Sequence, residues 1–150
     1  MQKLNLPCYE FKIIEDDNNK LQILDELRRK YVRLTPEEWV RQNFIKYLIE
    51  EKKFPKGLIA IEMALDISRN KNRCDVVCFN KECEAVLIIE CKAPKVKITK
   101  DVFDQAARYN MKLKTRYTIM TNGLQHYCCK INYEKCEVEY LKENPLFMDL

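Results

Sequence analysis

Asp75, Glu90 and Lys92 are the residues whose types and spacing come closest to a reaction centre. They lie in the stretch Arg73 to Lys92, R-C-D-V-V-C-F-N-K-E-C-E-A-V-L-I-I-E-C-K. Two apolar runs flank a polar break there, the pattern of a β-hairpin, which brings Asp75 near Glu90 and Lys92. Residues i and i+2 of a strand share a face, so Glu90 and Lys92 project together while Cys91 faces away. Two carboxylates and an ammonium suit metal-assisted phosphodiester hydrolysis, which needs a cation to neutralise developing charge, an activated water and a positive group beside both. Mg²⁺ takes one or two carboxylates and keeps several waters. Asp75 and Glu90 are therefore a sensible ligand pair, with the Cys91 carbonyl as a third oxygen and Mn²⁺ as a substitute ion. Lys92 would orient the attacking water and hold a phosphate oxygen.

The plain alternative is a strand-edge salt bridge of either acid with Arg73 or Lys92. Glu90 weighs against it, because it ends Ala85 to Ile89, the longest apolar run in the chain. A buried unpaired carboxylate is costly, and a metal or another cation is the usual remedy. Farther along, Gln105 and Tyr109 fall at i, i+4 on one helix face. They are candidates to reach a phosphate oxygen or the metal's water, or else a solvated glutamine and a core tyrosine. Lys95, Lys97, Lys100, Arg108, Lys112, Lys114 and Arg116 form a basic concentration around them. That suits a phosphate backbone or, residue by residue, a solvated charged face.

The elements that must position these residues can be read in outline. Tyr9 to Leu24 holds two apolar runs around E-D-D-N-N, a plausible hairpin. Asp25 to Leu34 reads as a short helix or a crossing loop. Thr35-Pro36-Glu37-Glu38 predicts a helix start, with Thr35 as N-cap, Pro36 at the first position and Glu38 completing a capping box. That helix runs to about Lys52 with Trp39, Val40, Phe44, Tyr47 and Leu48 on its apolar face, and Arg41, Gln42 and Lys46 elsewhere. Leu58 to Leu65 reads as a strand carrying Glu62. A second helix is signalled from Thr99 to about Lys114. Arg116–Thr121 and Leu124–Ile131 are strands about Asn122-Gly123, and Cys136–Leu141 an edge strand. The expected fold is α/β, a mixed sheet flanked by helices, in one domain: residues 1–34 as an N-terminal hairpin and extension, 35–131 as core, 132–150 as edge strand and tail.

Composition narrows the chemistry. The 150 residues are 47% hydrophobic, enough for one core, and carry 27 basic against 23 acidic side chains. Two glycines exclude phosphate loops and dinucleotide fingerprints, and a single histidine, His126, excludes His-rich zinc sites and disfavours a Ser-His triad. His126 itself reads as a packed sheet histidine. The eight cysteines sit in strand-like runs with no paired C-x-x-C spacing, so buried, reduced thiols are expected in preference to zinc ligands. No apolar run approaches a membrane span and no signal peptide is evident, so the expectation is a cytoplasmic protein.

Five blocks in order, L-T-P-E-E-W-V-R-Q, R-C-D-V-V-C-F, L-I-I-E-C-K-A-P, V-F-D-Q-A-A-R-Y-N and T-N-G-L-Q-H-Y-C, make Leu34 to Cys129 resemble the N-terminal nuclease domain of type I restriction enzyme R subunits, in the PD-(D/E)xK nuclease superfamily. The resemblance implies a restriction-endonuclease-like fold and Mg²⁺-dependent DNA cleavage. It assigns Asp75 and Glu90 as metal-binding acids, Lys92 as catalytic lysine, Gln105 and Tyr109 as a following Q-x-x-x-Y element, and Glu62 as an additional upstream acid among the metal ligands. Cys74 stands where the superfamily name has proline. In R subunits an ATP-driven translocase follows the nuclease. This chain ends at Leu150, so a motor or sequence-recognition partner is implied, and double-strand cutting calls for two copies, as in a homodimer. The competing expectation is a DNA-binding module of the same fold that does not cut.

Overall fold

The computed structural model describes residues 1–65, 72–100, 103 and 114–150. Strands β1 (Ile13–Glu15), β2 (Leu21–Asp25) and β3 (Lys30–Arg33) form a small antiparallel sheet. Helix α1 (Pro36–Glu50) follows. Strands β4 (Ile59–Leu65), β5 (Asn72–Phe79), β6 (Ala85–Cys91), β7 (Tyr117–Thr121), β8 (His126–Asn132) and β9 (Glu137–Leu141) then make a six-stranded sheet in chain order. The β6–β7 pair is parallel and its neighbours are antiparallel, so the sheet is mixed. Tight turns cannot join parallel strands, and residues 92–116 lie between these two in the chain.

The first hairpin closes on Asp16, whose carboxylate accepts the Asn18 and Lys20 amides, while Asn19 takes φ 55°, a value asparagine tolerates. Asp25 to Leu34 corrects the expectation of a helix or loop: it is a turn followed by β3. Asp25 Oδ1 accepts the Leu27 and Arg28 amides, offering the backbone a turn in place of a helix, and Tyr31 and Val32 then favour extended pairing.

Helix α1 begins as its sequence dictates, with the Glu38 amide donating to Thr35 Oγ1 at 3.0 Å. The capping box is only half formed. Thr35 N–H donates to the Arg33 carbonyl, and the Glu38 carboxylate turns to arginines instead. Val40, Phe44, Ile45 and Leu48 pack on Val76, Leu87, Ile89, Cys91, Ile119 and Cys128, covering one face of the large sheet. Arg41 and Gln42, expected away from the core, are buried as well, since acids meet them inside. Ile98 and Phe103 cover Met120, Cys129 and Ile131. Cys128 and Cys129 thus serve different clusters, as strand alternation requires. None of the eight cysteines forms a disulfide, and five are buried.

Between β7 and β8, Asn122 Oδ1 accepts the Leu124 and Gln125 amides. Gly123 adopts φ +81°, and a Cβ there would lie 2.7 Å from Leu4 Cδ2, so glycine is required twice over. Of the second expected helix, Thr99, Lys100 and Phe103 are described, and the Phe103 amide donates to the Thr99 carbonyl at 3.0 Å, a helical step. No helix among the described residues is long and apolar enough to cross a membrane.

Candidate active site

The β5–β6 register pairs Val76 with Ile89, and one further step brings Asp75 opposite Glu90. The β4–β5 register pairs Ile61 with Val76 and Met63 with Cys74, which sets Glu62 opposite Asp75. Three neighbouring strands therefore align three carboxylates in a row, and Lys92 follows Glu90 at the end of β6. At this end the ladder changes character. The Cys91 amide donates to Asp75 Oδ2 at 2.7 Å, a side-chain acceptor. The Lys92 amide instead donates to the Thr121 carbonyl at 2.8 Å, extending the β6–β7 pairing and fixing the backbone from which Lys92 springs.

Among the described residues, Glu90 has the fewest partners of the three acids. Its carboxylate lies 3.8 Å from Lys92 Nζ and is 22% exposed. Burial first, and then the charge of Asp75, push its pKa up to about 7, against the pull of Lys92. Asp75 is held more firmly: Oδ1 accepts from Arg41 Nη2 at 2.8 Å, while Oδ2 holds the Cys91 amide. Glu62 adopts φ 51° within β4, a left-handed conformation that costs a non-glycine residue on the order of 1–3 kcal/mol. Its Oε2 lies 3.1 Å from Arg28 Nη1 and its Oε1 3.5 Å from Arg41 Nη1.

Arg28, from the β2–β3 turn, and Arg41, from α1, are the positive charges behind this row. Arg28 binds Asp25, Glu38 and Glu62, while Arg41 binds Glu37, Glu38, Glu62 and Asp75. Gln42 Nε2 donates to both Asp25 and Glu38 at 2.8 Å. Burial opposes the charge on Arg41, yet Asp75 and Glu38 outweigh it and raise its pKa. An unbroken ionic chain thus runs from the fully buried Asp25 to Asp75. Sequence reasoning missed Asp25, Arg28, Glu38, Arg41 and Gln42. The available signal was the i, i+3 and i, i+4 spacing of Glu37 and Glu38 with Arg41, which marks an ion-pairing helix face.

Of the residues singled out from sequence, Glu62, Asp75, Glu90 and Lys92 are brought together. The Cys91 side chain is fully buried in the α1-facing core, leaving only its backbone at the site. Gln105 and Tyr109 lie outside the described residues, as do Arg108 and Lys112. Lys95, Lys97, Lys100, Lys114 and Arg116 are exposed. His126 is the packed histidine expected: Nδ1 meets Thr121 Oγ1 at 2.8 Å, Nε2 meets the Asn5 carbonyl at 3.1 Å, and the ring lies 5.5 Å from that of Phe44. Burial lowers its pKa.

Among the described residues no group of three or more His, Cys, Asp or Glu side chains stands ready to hold a metal ion. Guanidinium groups take up Glu62 and Asp75 Oδ1, and the Cys91 amide donates to Asp75 Oδ2. Glu90 fits a cation better: a carboxylate whose charge is opposed by burial and by a neighbouring acid is relieved when a positive ion arrives. Oxygen donors on two acids and a backbone carbonyl suit a hard divalent ion.

A family model described as type I restriction enzyme R protein N terminus matches residues 36–145. A solved structure described as a fragment of an HsdR subunit of a type I restriction enzyme from Vibrio vulnificus YJ016 is similar in fold, with a TM-score of 0.56 at 17% identity. That similarity covers 78% of this chain and 24% of the other. No curated protein sequence matches the chain.

Proposed function

Because the chain belongs to the family of type I restriction enzyme R protein N termini, we propose that it is a nuclease domain hydrolysing DNA phosphodiesters with a divalent metal. The observation that carries this reading is Glu90, a carboxylate raised to about 7 beside Asp75 with Lys92 Nζ at 3.8 Å. Glu90 and Asp75 would hold Mg²⁺, or Mn²⁺ in its place, with the Cys91 carbonyl as a third oxygen. When bound, the ion supplies Lewis-acid stabilisation of charge developing on the scissile phosphate and makes water a better nucleophile. Lys92 orients that water and holds a phosphate oxygen through its ammonium protons. Glu62 borders the pair as the upstream acid. The family resemblance gives Gln105 and Tyr109 a role in the same chemistry, and Lys95, Lys97, Lys100, Lys114 and Arg116 would grip the backbone without reading sequence. The partners this reading implies are DNA, a sequence-recognition or motor protein as in the family of R protein N termini, and a second copy for double-strand cutting.

The test is incubation of the full chain with supercoiled, linear and single-stranded DNA in Mg²⁺ or Mn²⁺. Nicking or cutting that stops in chelator, and falls on the order of 10²-fold or more in Glu90→Ala and Lys92→Ala, is the expected result. Full activity in both variants would remove the assignment. Salt-dependent binding without cleavage on any substrate would favour the non-cutting module.

A further inference from the structure

Four carboxylates converge on Arg41. Nη2 lies 2.8 Å from Asp75 Oδ1 and 3.5 Å from Glu37 Oε1, and Nη1 reaches Glu38 Oε2 and, at 3.5 Å, Glu62 Oε1. The residue is 6% exposed, and its Nε has no partner among the described residues. Its ion pairs all run through the two terminal nitrogens. We infer that the Arg41 guanidinium holds the position a second divalent cation would take, so the site binds a single ion, between Asp75 and Glu90.

The inference rests on the metal-dependent reading above and sharpens it. Two-metal sites place their ions roughly 3.5–4 Å apart, joined by shared carboxylates. Asp75 is the acid placed for sharing, between Glu62 on one strand and Glu90 on the other. Its Oδ1 faces Arg41, so the side a second ion would share already carries a cation. A guanidinium is charged at every accessible pH, and in a poorly solvated site it repels a divalent ion strongly. Glu62, the remaining acid of the row, is gripped from two directions by Arg28 and Arg41 and held in a left-handed backbone. To become a ligand it would have to leave both ion pairs. Glu62 is thus a partner of the arginines and not of the metal. Arg28 arrives from outside residues 36–145, so the N-terminal sheet contributes to the charge balance of a site that the family match does not fully contain.

The experiment is Mn²⁺ titration of the full chain without DNA, followed by calorimetry and by electron paramagnetic resonance of the free ion, with thermal melting to verify folding. The expected wild-type stoichiometry is a single ion. Glu90→Gln should weaken binding by roughly tenfold or more, whereas Glu62→Gln should leave it within about threefold. Arg41→Gln should take up a second ion, and Arg41→Lys, which keeps the charge, should not. Two ions on the wild type, a tenfold loss in Glu62→Gln, or a folded Arg41→Gln that still binds a single ion would each overturn the inference alone. If Arg41→Gln does not fold, Glu62→Gln decides. No binding by the wild type would instead remove the metal-dependent reading, and this inference with it.

Discussion

On one side of Asp75 every acid meets a guanidinium; on the other, Glu90 has, among the described residues, only the Lys92 ammonium as an ion-pair partner, 3.8 Å away. The paired side comprises Asp25, Glu38 and Glu62 with Arg28, Arg41 and Gln42, and most of these side chains are buried and bridged twice. Both sides belong to one acidic neighbourhood, and helix α1 and the small sheet complete only one of them. A buried acid with a full set of partners is costly to break, because removing it leaves an uncompensated buried charge. A half-buried acid left short of partners lowers stability and keeps an affinity for whatever cation arrives.

The largest effect expected from breaking this contrast lies on the paired side. Asp25 accepts the Leu27 and Arg28 amides, the Arg28 Nε–H and the Gln42 amide, and it is 0% exposed. Asp25→Ala removes a fully buried carboxylate and strips Arg28 and Gln42 of a partner. A loss of about 3–5 kcal/mol is expected in urea denaturation. A loss below about 1 kcal/mol, the scale of exposed ion pairs, would show that the buried chain is not structural.

Next in size is the opposite response at Glu90. Its pKa rises from an ordinary 4.5 to about 7 in the fold, so the folded state binds the proton more tightly than the unfolded chain. The sign follows: the protonated group leaves the fold undisturbed below 4.5, and stability is lost progressively as pH rises from 4.5 through 7. In chelator at pH 8, Glu90→Gln should stabilise the protein by at most about 3 kcal/mol, and most of that gain should vanish at pH 5. Added Mn²⁺ should stabilise the wild type at pH 8 and the variant far less. A variant less stable than wild type at pH 8 would place Glu90 among the paired acids and erase the contrast.

How much of this was legible in the sequence follows the same division. Local signals carried well: the Thr35-Pro36 start, the strand pair around Asn80 that brings Asp75 to Glu90 and Lys92, and the Asn122-Gly123 turn; Glu62 entered the site only through the family resemblance. The unpaired side was readable because an acid ending an apolar run announces its own expense. The paired side was not. Arg41 and Gln42 look like solvent-facing residues on a helical projection, and only the arrival of the β2–β3 turn and β4 around them makes that face an interior. That turn was itself misread, because Asp25 closes it with a side chain where the composition D-E-L-R-R-K would also suit a helix. Long-range ion pairs leave no periodicity to detect.

The smallest effect tests whether the two sides are independent. Thr35 Oγ1 accepts the Glu38 amide at 3.0 Å and starts the helix that carries Glu37, Glu38 and Arg41. Loss of such an N-cap costs about 1 kcal/mol. Glu38 itself is held by Arg28, Arg41 and Gln42 and not by the Thr35 amide, so the ionic chain does not depend on the cap. Thr35→Ala should therefore lower the stability by that amount, with Mn²⁺ affinity unchanged. A parallel fall in affinity would mean that the start of α1 transmits strain through Arg41 to Asp75, and that the guanidinium side tunes the metal side mechanically as well as by charge.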